Sequence, residues 1–204
     1  MALGAPAARA ELRADAVLAE LNGARADPSA YLGKLREFRG RFRDRVVRHS
    51  DRAADEVTEE GVAAVDEAIA AVAAQVGRAG IAPADLLRVS AAELVRMQGA
   101  DGSVGHVGAD GSDPGRRARR AGGGGHVWEV IAYGPETPAD VVRQLIVDDG
   151  VATRWHRKLL FAENLRYAGV ACGPHPGYRT VCVIALAETP TARPLDRPVL
   201  HASR

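Results

Sequence analysis

The sequence predicts an α+β fold from three observations: a helix-rich first half, an isolated strand-like run, and a β-rich pair around a Gly/Pro turn near the end. One further helical stretch lies between the strand-like run and that pair. With 204 residues and 47% hydrophobic content, the chain can bury one good core rather than two full domains. The expected organisation is an N-terminal extension over 1–14, a domain over 15–188 whose portion 15–80 is helical, and an irregular tail over 189–204 containing Pro190, Pro194 and Pro198.

In chain order, ELRADAVLAELNGARADPSAYLGKLREF spaces Leu12, Ala16, Leu18, Leu21, Tyr31, Leu32 and Leu35 as helical stripes. The spacing predicts a helix to about Ala26, a break at Asp27-Pro28 and a second helix from Ser29. Val65, Ile69, Val72 and Val76 mark the next helix, with Thr58, Glu59 and Glu60 as its expected start because an oxygen cap and first-turn acids suit exposed amides. In PADLLRVSAAELVRMQG, Pro83 suits a first helical position and Gly99 a stop, with Leu87, Ala91, Leu94 and Met97 facing inward. Ser90 and Glu93 mimic a capping box, but a start there would strand Leu86 and Leu87 outside the helix.

DGSVGHVGADGSDPG and AGGGG read as loops, HVWEVIAYG as a strand, and TPADVVRQLIVDD as a helix starting near Thr137 or Pro138. AGVAC and TVCVIALA read as a hairpin across Gly173, Pro174, Pro176 and Gly177. That hairpin sets Cys172 against Cys182, either as a disulfide suited to an oxidising compartment or as two buried thiols; the facing strands favour the bridge.

Lysine plus arginine number 27 against 26 acids, a formal charge of +1, so no overall field draws in nucleic acid or an acidic membrane, and no nucleic-acid partner is expected. The arginine-rich stretches 36–52 and 116–120 (RRARR) read as solvated faces. No run reaches the roughly 18 apolar residues of a membrane span. MALGAPAARAELRADA lacks the apolar region of a secretory signal, leaving either an intracellular protein or a chain that begins after a removed leader.

Polar chemistry concentrates in DDGVATRWHRKLLF, residues 148–161, with Asp148 or Asp149 and His156, and at two other points: His106 in GHVGADGS and Glu129 in VWEVIAYG. Imidazoles with nearby carboxylates suit a borderline metal ion, with nitrogen as ligand and oxygen orienting it or sharing a bound water. No Ser-His-Asp spacing, free catalytic-looking cysteine or HExxH helix accompanies them.

GHVGADGS followed by arginines, then WEVIAYG, LIVDDGVATRWHRKLLF and YAGVACGPHPGY, in that order, resembles the bacterial branch of the CAP superfamily. This superfamily comprises the cysteine-rich secretory, antigen 5 and pathogenesis-related 1 proteins, the SCP domains. LNGARADPSAY and TEEGVAAVDEAI resemble the N-terminal helices of that branch, so the resemblance spans roughly residues 15–188. It implies an α-β-α sandwich with a central antiparallel sheet flanked by helices, an extracellular or cell-envelope location, and a cleft holding two histidines and two acids. By motif these are His106, His156, Glu129 and Asp148, with Asp149 the alternative to Asp148. Tyr133 and Arg157 are expected to line the same cleft, with His175 nearby, and Arg157 and Lys158 to offset carboxylates or meet an anionic ligand.

This chain departs from the family pattern in three ways, one being that Asp148, standing in for a glutamate, reaches about one methylene less far. The Gly-Glu-Asn motif reads Trp128-Glu129-Val130, removing the asparagine's hydrogen bonds, and Trp155 replaces the usual glycine before the second histidine, where it is expected to narrow or cover the cleft. The implied function is a binding module in which His106 and His156 hold a divalent metal, zinc foremost, beside a small, lipidic or peptidic ligand. The alternatives are a metal- or Glu129-assisted hydrolase, with Glu129, Asp148 and Asp149 as candidate catalytic groups, and a cell-surface scaffold contacting through residues 36–52. The oligomeric state is not legible in the sequence.

Overall fold

The computed structural model describes residues 13–48 and 55–195. Its helices are α1 (Ala14–Ala26), α2 (Pro28–Arg39), α3 (Val62–Ala73), α4 (Asp85–Asp101), α5 (Pro114–Arg120), α6 (Pro138–Val147) and α7 (Trp155–Leu160). Its strands are β1 (Phe42–Arg43), β2 (Val46–Val47), β3 (Glu56–Val57), β4 (Ala82–Pro83), β5 (Trp128–Tyr133), β6 (Tyr167–His175) and β7 (Arg179–Ala187). Helix and sheet mix in one chain, as the α+β pattern predicts.

Local chemistry explains most boundaries. Asp27 takes the amide of Ala30 at 2.9 Å and caps α2, which opens with Pro28, so the expected break is a single capping residue between two helices. Thr137 caps α6 in the same way through the amide of Asp140. Thr58 does not start a helix. Its amide and hydroxyl both bond the Arg45 carbonyl (2.8 and 2.9 Å), extending the pairing of β2 with β3, and α3 begins at Val62 behind Gly61. Val76 lies beyond the end of α3 and is exposed.

Pro83 is likewise a strand residue, in register with Ala168, and α4 starts at Asp85. Gly99 does not stop α4: the helix runs on to Gly102, whose φ of 71° is the left-handed conformation of a C-cap. Ser90 sits inside α4, buried, with its hydroxyl toward the Pro114 carbonyl. Leu87, Ala91, Leu94 and Met97 form the buried stripe, as their spacing predicts.

The main sheet has the order β4-β6-β7-β5. Its three long strands are antiparallel, but β4 runs parallel to β6, so the sheet is not antiparallel throughout as the family resemblance implied. One face buries Val130, Ala132, Val170, Ile184 and Leu186 against Leu21, Leu35, Leu145, Ile146 and Leu160, from α1, α2, α6 and α7. The other face buries Ile131, Ala171, Val183 and Ala185 against Leu87, Ala91 and Leu94 of α4 and Ala118 of α5.

Helix α4 approaches β6 closely because that face of the strand is nearly bare. A Cβ on Gly169 would lie 1.9 Å from the Arg88 amide nitrogen, and one on Gly173 would lie 2.7 Å from Val95. Ala171 sits between them on the same face.

The β6–β7 hairpin runs further than expected, with Gly173, Pro174 and His175 inside β6 and the turn shortened to Pro176–Tyr178. Proline is tolerated at 174 because β4 pairs only with Tyr167 and Ala168, leaving that part of the strand's outer edge with no partner strand among the described residues. Phe42–Val47 and Glu56–Val57 form a small separate antiparallel sheet. Part of the arginine-rich stretch is thus structured, with Arg39 paired to Asp66 and Arg41 to Glu37, while its end from residue 49 lies outside the described residues.

Packing continues past residue 188: Ala192 is buried, and its carbonyl accepts the amide of His126. Most of the expected extension and the tail from residue 196 lie outside the described residues. Among the described residues, no helix is long and apolar enough to cross a membrane.

Cys172 and Cys182 face each other in register and form a disulfide, with Cα atoms 4.1 Å apart. Intact mass should rise by two hydrogens on reduction. Because the bridge closes a loop with a sequence separation of 10, replacing both cysteines by serine should lower the unfolding free energy by about 2–3 kcal/mol in a denaturant titration under oxidising conditions.

Candidate functional site

Two buried carboxylates each hold one histidine. Glu129 projects from β5 with its carboxylate almost wholly buried, and its Oε1 lies 2.9 Å from His106 Nδ1. Its Oε2 accepts from Arg117 Nη2 at 2.6 Å. Arg117 is fully buried and also donates through Nη1 to the carbonyls of Ser112 (2.7 Å) and His106 (3.0 Å), tying the loop that carries the histidine to the strand that carries the acid.

Arg117 is the residue that sequence reasoning missed, because RRARR was read as a solvated face. Arg116, Arg119 and Arg120 are exposed as expected, whereas Arg117 points inward. The available signal was helical spacing: Arg117 shares a face with Pro114, Ala118 and Ala121, the apolar side of α5. Arg117 also corrects the expectation drawn from the missing asparagine. Val130 is buried on the opposite face of the sheet, and Glu129 is held by a guanidinium instead.

The second pair is built by the turn between α6 and α7. Asp148 ends α6 in the left-handed conformation, φ 59°, which aspartate tolerates better than most residues. Its Oδ1 lies 2.6 Å from His156 Nδ1, and its Oδ2 accepts the amides of His156 (2.9 Å) and Arg157 (3.3 Å) in the first turn of α7. Those amides have no intrahelical partner, so the carboxylate that orients the histidine also caps its helix. Gly150, at φ 77°, and Arg154, at φ 52°, complete the reversal that brings residue 156 back to residue 148.

Of the two neighbouring acids, Asp148 meets the histidine. Asp149 instead accepts the amides of Glu59 (2.7 Å) and Glu60 (2.8 Å) ahead of α3. Arg154 ties the same regions together, reaching Glu60 with Nη1 and Nη2 (2.5 and 2.6 Å) and Glu67 with Nε (2.8 Å).

Arg157 does not line the cleft, contrary to expectation. It is buried, its Nε and Nη2 donate to the carbonyls of Ile146 (2.5 Å) and Val147 (2.9 Å) at the end of α6, and its Nη1 meets Glu67 at 3.2 Å. Burial lowers its pKa from the ordinary arginine value. Trp155 is half-exposed and does not line the cleft, contrary to the crowding expected of it.

A cleft of about 960 Å³ opens beside the second pair. Its lining mixes polar side chains, among them Asp140, Arg143, Asp148, Asp149, His156 and Arg179, with the apolar Phe38, Phe42, Ile131, Leu145, Val147 and Val151. Glu129 lies on the same face of β5 as Ile131 and Tyr133, yet neither it nor His106 lines this cavity. The first pair adjoins it through Tyr133, whose hydroxyl accepts the amide of Gly105 at 2.8 Å and donates to Gln98 Oε1 at 3.1 Å. Gln98 in turn donates to the Gly105 carbonyl at 2.7 Å, so Tyr133 anchors the residue just before His106. Burial raises the pKa of the Tyr133 phenol and keeps it a donor.

His175 is a turn anchor outside the cleft lining. Its Nε2 donates to the Ser103 carbonyl at 3.0 Å, its Nδ1 accepts the amides of Gly177 and Tyr178, and its ring meets Tyr133 edge-on.

In both pairs Nδ1 faces a carboxylate, which places its hydrogen there in the neutral ring and leaves Nε2 as an acceptor or metal ligand. Among the described residues, no group of three or more His, Cys, Asp or Glu is arranged to hold a metal ion. Each ring on its own thus offers one nitrogen donor at Nε2.

Neither family models nor curated proteins give a match to this chain. Among solved structures it is similar to an outer surface protein from Borrelia burgdorferi, with 15% identity, a TM-score of 0.41, and coverage of 52% of this chain and 75% of that one. A likeness at that level carries no functional statement.

Removing Arg117 leaves the buried Glu129 charge without its guanidinium. Arg117→Ala should cost about 3–5 kcal/mol in chemical denaturation, and most of that loss should disappear in Arg117→Met/Glu129→Leu, where neither charge remains.

The Arg154 guanidinium, aided by the Gly150 amide, holds Glu60 down at about 2 from its ordinary 4.5. The folded value lies below the unfolded one, so this contribution is complete above about pH 4.5 and is lost as pH falls toward 2. A Glu60→Gln variant should show a shallower loss of stability across that window in acid titrations followed by circular dichroism.

Proposed function

We propose that this chain is a CAP-superfamily domain whose cleft binds a small lipidic or peptidic ligand next to a weakly held divalent cation. The observation that carries this proposal is the matched pair of imidazoles, each fixed through Nδ1 by a buried carboxylate and each with no hydrogen bond to Nε2 among the described residues. Helices on both faces of three long antiparallel strands support the α-β-α sandwich of that superfamily.

A lining that mixes apolar side chains with tyrosine, arginine, histidine and several carboxylates suits an amphipathic ligand. His106 and His156 would hold the cation, zinc foremost, through Nε2, while Glu129 and Asp148 keep the rings in the required tautomer. An ion so bound would supply a Lewis-acid centre with open positions for water or a ligand oxygen. The disulfide suits an oxidising compartment, so we place the domain at the cell envelope or outside the cell.

A hydrolase is the second reading, because a histidine backed by a carboxylate is also the arrangement of a general base. Against it, Glu129, the acid that would activate a water, is engaged by both His106 and Arg117 and does not line the cleft.

Calorimetric titration with zinc should give a saturable heat for the wild type that disappears in His106→Ala/His156→Ala. Equal heats from the two proteins would remove the metal from the proposal. In a screen of peptide and ester substrates no turnover is expected, and metal-dependent turnover abolished by His156→Ala would favour the hydrolase.

A further inference from the structure

A second cavity, of about 530 Å³, shares no lining residue with the cleft and is surrounded by arginine. Arg25, Arg78 and Arg166 line it, with Glu163 as its one lining carboxylate. Arg25 rises from the last turn of α1 and is buried, held by the carbonyls of Ala79 through Nε (3.2 Å) and of Leu160 and Ala162 through Nη1 (2.5 and 3.1 Å). Its Nη2 carries none of these bonds. Arg78 pairs through Nη1 with Glu163, while its Nε is buried with no hydrogen-bond partner. Arg166 is exposed, and among the described residues its side chain makes no hydrogen bond or ion pair.

Three cations around one carboxylate repel one another, and the cost is greatest for the buried Arg25, which has the least water to screen it. Burial and the nearby Arg78 both lower its pKa. The backbone keeps the two residues side by side, the Arg78 amide bonding the Arg25 carbonyl at 2.8 Å, while Glu163 and the carbonyls of residues 79, 160 and 162 hold their guanidiniums. An anion among them would relieve the repulsion and give the buried Nε of Arg78 an acceptor. Forked guanidinium donors match the oxygens of a phosphate group, which can bridge several arginines at once.

We propose that the Arg25–Arg78–Arg166 cavity is a binding site for a phosphate group, separate from the histidine cleft. Free phosphate or a soluble phosphomonoester and a phospholipid headgroup share this chemistry.

The test is titration of the folded protein with inorganic phosphate, followed by calorimetry at an ionic strength held constant with chloride. Binding should be saturable and about tenfold weaker in Arg166→Ala, which removes an exposed, unpaired side chain and leaves the fold undisturbed. Arg78→Gln should weaken it at least as much, whereas Arg88→Ala, which removes an exposed arginine paired with Asp85 on α4, should leave it unchanged. Phosphate heats no larger than those of chloride, or Arg166→Ala binding as tightly as wild type, would overturn the site. Sedimentation with phosphatidic acid vesicles separates the two sources: capture that Arg166→Ala abolishes assigns a headgroup, and phosphate binding without capture assigns a soluble ester.

Discussion

Two carboxylates lie in this protein with almost no access to water, and the structure around the candidate site follows from how each is compensated. An isolated buried charge would cost several kilocalories per mole and would sooner take up a proton than remain ionised. Glu129 is compensated by a full opposite charge, which is why a short helix, α5, is set where it delivers Arg117. Asp148 is compensated by backbone dipoles, which is why the chain makes a tight reversal through left-handed residues to aim the first amides of α7 at it. The two histidines are thus held alike at Nδ1, although their supporting structures are unrelated.

Most helices were legible because their buried stripes are local and periodic, as with Leu87, Ala91 and Leu94. Their ends were less so, since Thr58, Pro83 and Gly99 have strong local meanings that partners distant in sequence override. Thr58 gives its hydroxyl to Arg45, Pro83 pairs beside Ala168, and Gly99 leaves room for the Pro174 carbonyl. In the site, His106, Glu129, Asp148 and His156 stood out as polar groups beside turns or on an apolar element. The arginines were opaque: Arg117, Arg154 and Arg157 are chemically alike in the sequence, and only the fold assigns one to a buried acid, one to α3 and one to helix carbonyls. Arginine can serve all three because its long stem buries readily while its fork finds several acceptors.

The cleft is lined from regions far apart in sequence: residues 38–42 and 55–61, residues 131–156, and residues 177–179. The first two are joined by Arg154 to Glu60 and Glu67 and by Asp149 to the amides of residues 59 and 60. These ties differ from surface pairs such as Lys34–Glu20 or Arg13–Asp15, which contribute little because water screens them. Arg154 is nearly buried and bonds carboxylates and carbonyls together, so the width of the cleft is set by a network rather than by a single contact.

The bare face of β6 has a consequence for register. Successive residues of a strand point to opposite sides, so a slip of one position would turn Ala168, Val170 and Cys172 toward α4 in place of Gly169, Ala171 and Gly173. The branched side chain of Val170 cannot occupy space in which a single Cβ at 169 would already meet helix backbone. The same slip would part Cys172 from Cys182. Two glycines and an alanine therefore act as a proofreading surface, admitting the helix only when the central strand is correctly aligned with its neighbour.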